Sequence, residues 1–125
     1  MRFMMLMIPN LPEEDWSPSP EAVAAMTKYN AELTKAGVLL ALDGPHPSSR
    51  SARVAFAGGK ASVKDGPFAE AKEVIGGYWP VDVKSRDEAI EWARRCPADD
   101  RAVIEIRQVF EGAEFPPEVR AAAGL

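Results

Sequence analysis

Phe3-Met4-Met5-Leu6-Met7-Ile8 is apolar at every position, and this run narrows the fold more than any other stretch. Side chains of a strand alternate between two faces, so an unbroken apolar run of this length marks a strand that needs cover on both sides. Asn10-Leu11-Pro12 ends it. The run is too short to span a bilayer and, with one Arg before it, too short for a signal peptide. The expectation is a cytoplasmic chain with no membrane contact.

Downstream punctuation divides the chain into further elements. Ser19-Pro20-Glu21 offers an N-cap, a first-turn proline and an acid at the positive end of a helix. The stripe Ala22, Met26, Tyr29, Leu33 and Ala36 continues that helix, and Gly37 stops it. Val38 to Leu42 reads as a second strand. Gly58-Gly59 between Ala52–Ala57 and Lys60–Lys64 is a two-residue hairpin signal. That turn sets a register in which Phe56 faces Ala61, Val54 faces Val63 and Ala52 faces Asp65, so Asp65 falls on the apolar face. An unpaired carboxylate buried there costs several kcal/mol, so Asp65 is expected to cap the next turn or meet a partner.

Ile75 to Val83 alternates, with Trp79, Val81 and Val83 on one side, Tyr78 and Asp82 on the other, and Pro80 signalling an edge or a bulge. Ser85-Arg86-Asp87-Glu88 is a capping box that opens a second helix, ended by Cys96-Pro97. Ala102 to Val109 closes the series as a strand with Ile104 and Ile106 on one face and Glu105 and Arg107 on the other. The tail, 110–125, carries Phe115-Pro116-Pro117 and a short helical stretch.

This order is a split βαβ arrangement with an added hairpin, and right-handed crossovers put both helices on one face of the sheet. The fold class is α+β, a ferredoxin-like sandwich. With both helices on one side, the first strand's second apolar face lacks cover, and a second copy of the chain is the economical answer, a homodimer with sheets packed face to face. A length of 125 residues, 46% hydrophobic and 27% charged, fits one domain, 1–125, with a core over about 1–109. A net charge of −4, with no basic cluster longer than Arg94-Arg95, argues against a nucleic-acid surface. Cys96 is alone and forms no internal disulfide.

Asp65-Gly66-Pro67-Phe68-Ala69-Glu70-Ala71-Lys72-Glu73, followed by Gly76-Gly77-Tyr78, resembles the signature of DGPF proteins in the YCII-related group. The likeness extends more loosely over about Met1 to Val109. It implies a dimeric α/β-barrel and says little about reaction. Members of the wider group are suspected of activity through a His and an Asp on and just after the first helix; here those positions read as Met26 and Lys35. The DGPF subgroup is also found beside or fused to extracytoplasmic-type sigma factors, a link that in this chain would run through a partner.

Asp43-Gly44-Pro45-His46 nearly repeats the DGPF tetrapeptide, and both copies have the composition of tight turns. Only the second is expected to join a site as well. His46, the single histidine, can act as a base near neutral pH, and Asp65 as an acid or base. Lys72 can neutralise Asp65 or hold an anion. Phe68, Tyr78, Arg107 and Asp43 complete the ligand-binding candidates, with Arg107–Glu105 open to a second reading as an interfacial ion pair. One histidine and no paired cysteines disfavour zinc or haem, and no cofactor is expected. Two functions remain open: a cofactor-free enzyme acting on a small anionic substrate, and a non-catalytic ligand-sensing or partner-binding dimer.

Overall fold

The computed structural model describes residues 1–68 and 74–125. Chain order is β1 (Arg2–Ile8), α1 (Pro20–Lys35), β2 (Ala52–Ala57), β3 (Lys60–Asp65), β4 (Gly77–Asp82), α2 (Arg86–Arg94), β5 (Val103–Gln108) and α3 (Pro117–Ala122). β1 lies between β4 and β5 in an antiparallel sheet, while β2 and β3 form a separate two-stranded ribbon. The architecture is a ferredoxin-like α+β fold. Among the described residues no barrel closes.

The helices begin where their caps allow. Ser19 Oγ accepts from Ala22 N at 3.1 Å, and Ser85 Oγ accepts from Glu88 N at 3.1 Å. Glu88 returns the bond to Lys84 N, one residue before the N-cap, at 2.8 Å. Gly37 takes φ +74°, as the end of α1 requires. Both helices bury their apolar stripes on one side of the sheet. Tyr29 and Leu33 of α1 and Ala89 of α2 join Phe3, Met5, Trp79, Val81 and Val83 in a common core, with Met26, Trp92, Ile104 and Ile106 packed around it. Polar tips inside that core are paired: Tyr29 Oη donates to Trp92 O at 2.7 Å and Trp79 Nε1 donates to Asn30 Oδ1 at 2.9 Å.

The segment expected to form a strand over Val38 to Leu42 lies beside β4 but meets it only at two isolated bridges, Leu39 with Val81 and Asp43 with Tyr78. Between these bridges four residue steps on one side run against three on the other, so one extra residue must bulge. Pro80 is the physical reason. Its carbonyl accepts from Leu40 N at 2.9 Å, but on that same side it has no N–H to return, so the ladder cannot continue.

The hairpin register matches the expectation from Gly58-Gly59, with Ala52 opposite Asp65, Val54 opposite Val63 and Phe56 opposite Ala61. Both glycines take the positive φ that the turn demands, +56° and +76°. Its surroundings differ from the expectation. Every residue of β2 and β3 is exposed, Phe56 at 81%, so Asp65 is not buried within one chain and carries no burial cost there.

Candidate functional site

Strand alternation sorts the candidate residues into two places. Phe3, Met5 and Met7 face the helices, so Met4, Leu6 and Ile8 face the other way. Pairing carries that second face across the sheet: Leu6 is opposite Tyr78 and Glu105, and Met4 is opposite Pro80 and Arg107. Asp43 joins through its bridge to Tyr78, whose hydroxyl lies 3.5 Å from Asp43 Oδ2. Arg107 Nε sits 3.8 Å from Glu105 Oε2, both side chains well exposed. Thus Asp43, Tyr78 and Arg107 share the open sheet face. They rim an apolar centre made by Met4, Leu6, Ile8, Pro80 and Leu40, the last 53% exposed.

His46, Asp65 and Phe68 lie elsewhere, Asp65 at the end of β3 and the other two in loops that meet beside the hairpin. Gly66 N donates to Ser51 O at 2.8 Å, and a Cβ added to Gly66 would strike the Ser48 carbonyl. The second Asp-Gly-Pro therefore docks backbone to backbone on the turn that follows His46, and only glycine fits there. Arg50 Nη1 lies 3.2 Å from His46 Nε2, and Ser49 Oγ donates to Glu13 Oε1. Phe68 is buried, with the Arg53 guanidinium 3.9 Å above its ring, so it acts as packing beneath a cation. Lys72, on which compensation of Asp65 was expected to rest, lies outside the described residues.

Two recesses adjoin this end of the molecule. One, of about 360 Å³, is lined by Asn10, Pro12, Glu13, Pro47, Ser48 and Val74 among others, and so touches the same turn that receives Gly66. The other, of about 450 Å³, lies between the loop after β1, the first turns of α1 and the α2–β5 connection. Pro9, Leu11 and Trp16 line both. Sequence reasoning overlooked Trp16 because a single tryptophan in a Pro-rich acidic loop shows no periodicity; the signal available was a large aromatic where a solvated loop has no use for one.

Met26 lines the larger recess, whereas Lys35 ends α1 nine residues further on, so the helix carries no His–Asp dyad at those positions. Burial pushes the Cys96 thiol up to about 11, which keeps it protonated and a poor nucleophile at neutral pH. Among the described residues no group of three or more His, Cys, Asp or Glu could hold a metal ion. No helix among them is long and apolar enough to cross a membrane.

Comparison with known proteins agrees with the geometry. An uncharacterized protein of Rhizobium meliloti (strain 1021) is 37% identical over 82 residues, a match spanning 66% of this chain and 63% of that relative, less than two thirds of its length. The model of the YCII-related domain matches residues 1–113, which takes in the sheet, both long helices, the hairpin and the DGPF loop. The chain belongs to the YCII-related domain family.

Proposed function

We propose that the chain works as a homodimeric small-molecule-binding protein, its two sheets packed through their open faces. One observation carries this reading: Met4, Leu6, Ile8, Tyr78 and Pro80 form an apolar sheet face that is only half-buried within one chain, with Leu40 exposed at its edge. A contiguous apolar patch of this kind on a monomer marks an interaction surface. Its charges suit a two-fold contact, since a self-complementary interface sets Arg107 of one copy against acids such as Glu105 or Asp43 of the other.

The ligand site of this proposal is the loop cluster of His46 and Arg50 beside the Gly66 turn, outside the smaller recess, whose charged lining residue is the acid Glu13. Arg50 supplies a fixed positive charge to the same loop, so a small anion is the class that fits, with Asp65 and His46 as the groups able to exchange a proton with it. Binding is better supported than turnover. Among the described residues His46 is hydrogen-bonded to Arg50 alone, and a base without a nucleophile or an orienting acid makes no catalytic relay. The exposed apolar side of the hairpin, Val54, Phe56 and Val63, favours a partner-binding role as the second reading.

Light scattering tests the assembly. The expected mass is twice 13.6 kDa, and Leu6→Arg, which puts a charge at the centre of the open face, should return the single-chain mass without loss of helical signal. A wild-type monomer at micromolar concentration would end the proposal. For the site, titration with phosphate and with small carboxylates should perturb the His46 imidazole resonances, and Arg50→Ala should abolish that response.

A further inference from the structure

The larger recess is built differently from the site above. Met7, Trp16, Val23, Met26, Pro97 and Ala102 give it a mainly apolar wall around about 450 Å³, a volume suited to a small organic molecule. Its donors are neutral and few, the Ser17 and Ser19 hydroxyls among them. The Trp16 indole N–H is engaged by Leu11 O at 3.1 Å, and the Thr27 hydroxyl donates to Val23 O at 2.8 Å. At the first turn of α1, Pro20 has no N–H, Ala22 N is taken by Ser19 Oγ and Val23 N by Ser19 O. The helix end thus offers little to an anion. Against this, two carboxylates, Asp15 and Asp99, line the recess, and no Lys, Arg or His does so among the described residues.

We propose that this recess binds a small organic ammonium ion, an apolar body of about the size of one aromatic ring carrying one protonated amine. The apolar wall, with Met26 and Trp16 as adaptable and rigid surfaces, takes the body. Asp15 and Asp99 take the charge at the mouth, where solvent screens them, so selectivity between cation and anion is modest and salt-dependent. The inference concerns the helix side of the sheet and does not depend on the dimer or on the loop site.

Methionine-methyl NMR can place the ligand, because Met7 and Met26 line the recess while Met4 lies on the opposite face of the sheet. The probes are 2-phenylethylamine, 2-phenylethanol and 3-phenylpropionate, alike in body and different in charge. The amine should shift the Met7 and Met26 methyls and leave Met4 in place. It should bind about five-fold more tightly than the alcohol at low salt, and the acid more weakly than either. Asp15→Asn with Asp99→Asn should level the amine and the alcohol while keeping both bound. Should that double variant fold poorly, the same preference measured on the unaltered protein must shrink at about 0.5 M salt. Equal affinity for amine and acid, shifts at Met4 in place of Met7 and Met26, or no shift with any probe at about 10 mM, the weakest range for such small ligands, would each overturn the proposal.

Discussion

The ring of Tyr29 meets the ring of Trp79 edge to face, centroids 6.1 Å apart and planes at 88°. Each ring also uses its polar tip, Tyr29 on the carbonyl of Trp92 and Trp79 on the amide of Asn30. Two side chains thereby tie α1, α2 and β4 at one point. Tyr29→Phe keeps the ring contact and removes the hydroxyl, leaving the Trp92 carbonyl with the Arg95 N–H as its remaining donor. The expected cost is about 0.5–1.5 kcal/mol in a urea melt. Trp79→Ala removes ring and bond together and should cost about 3–5 kcal/mol.

Alkaline pH should weaken the fold through one buried group, Tyr29, and one half-buried group, Cys96. Cys96 is raised by burial to about 11 from an ordinary 9, and burial likewise raises the Tyr29 phenol above its ordinary value. A raised acid holds its proton in the folded state after the unfolded chain has released its own. Stability is therefore complete below pH 9 and declines as pH rises from 9 through 11. Cys96→Ala should remove the first part of that decline, read from melting temperatures at pH 8, 9, 10 and 11. At pH 8 the folded thiol should also react with iodoacetamide far more slowly than a free cysteine.

Arg2 holds Glu111 by two nitrogens, Nε at 3.0 Å and Nη2 at 3.1 Å, and so clasps the tail to the start of β1. The guanidinium lowers the Glu111 carboxyl below its ordinary 4.5. A lowered acid contributes stability above the unfolded value, and that contribution disappears as pH falls from about 4.5 through the lower folded value. Both side chains are exposed, so the response is local rather than global. Protection factors of the amides in residues 112–122, corrected for the slower intrinsic exchange at low pH, should fall on acidification before those of the core amides, and Glu111→Gln should show the lower protection already at pH 7.

Gly66→Ala separates the two Asp-Gly-Pro segments. A methyl at Gly66 runs into the backbone of Ser48, whereas one at Gly44 meets only Gly76 O at 3.6 Å. The Gly66 change should cost about 1–3 kcal/mol, the range for forcing atoms into filled space, and the Gly44 change much less. Differential scanning calorimetry of the two variants decides between a docked loop and a free one.

Asp65→Asn should change the stability of a single chain by no more than about 0.5 kcal/mol, because both hairpin strands are exposed. A large loss seen only above the dimerisation concentration would place Asp65 against the second copy.

Most of the framework was legible because its signals are local or periodic. Ser19, Ser85 and Gly37 mark helix ends by the backbone groups they satisfy, and Gly58-Gly59 sets a register by the φ values it permits. Alternation in β1, β4 and β5 told which residues face the helices. Burial of the hairpin was not legible in this way. Ala52, Val54 and Phe56 alternate like a core strand, but nothing in that pattern says which surface they meet, and among the described residues they stay exposed. Nor could spacing reveal that Asp43 belongs with Tyr78 and Arg107 on the sheet while His46, three residues later, belongs with Arg50 in a loop. That separation follows from where the irregular pairing to β4 ends.

Pro80 gives the sheet an asymmetric compliance. β5 is joined to β1 along six consecutive pairs, while the segment at 39–43 is held to β4 at two points with a bulge between them. The chain that leaves the second of these points leads directly to His46, Ser48 and Arg50. That loop is therefore fastened to the sheet through two backbone bonds at Asp43 and to the rest of the chain through Gly66 N–Ser51 O and Ser49–Glu13, so its position is set more by the docked Gly66 turn than by any pair in β1.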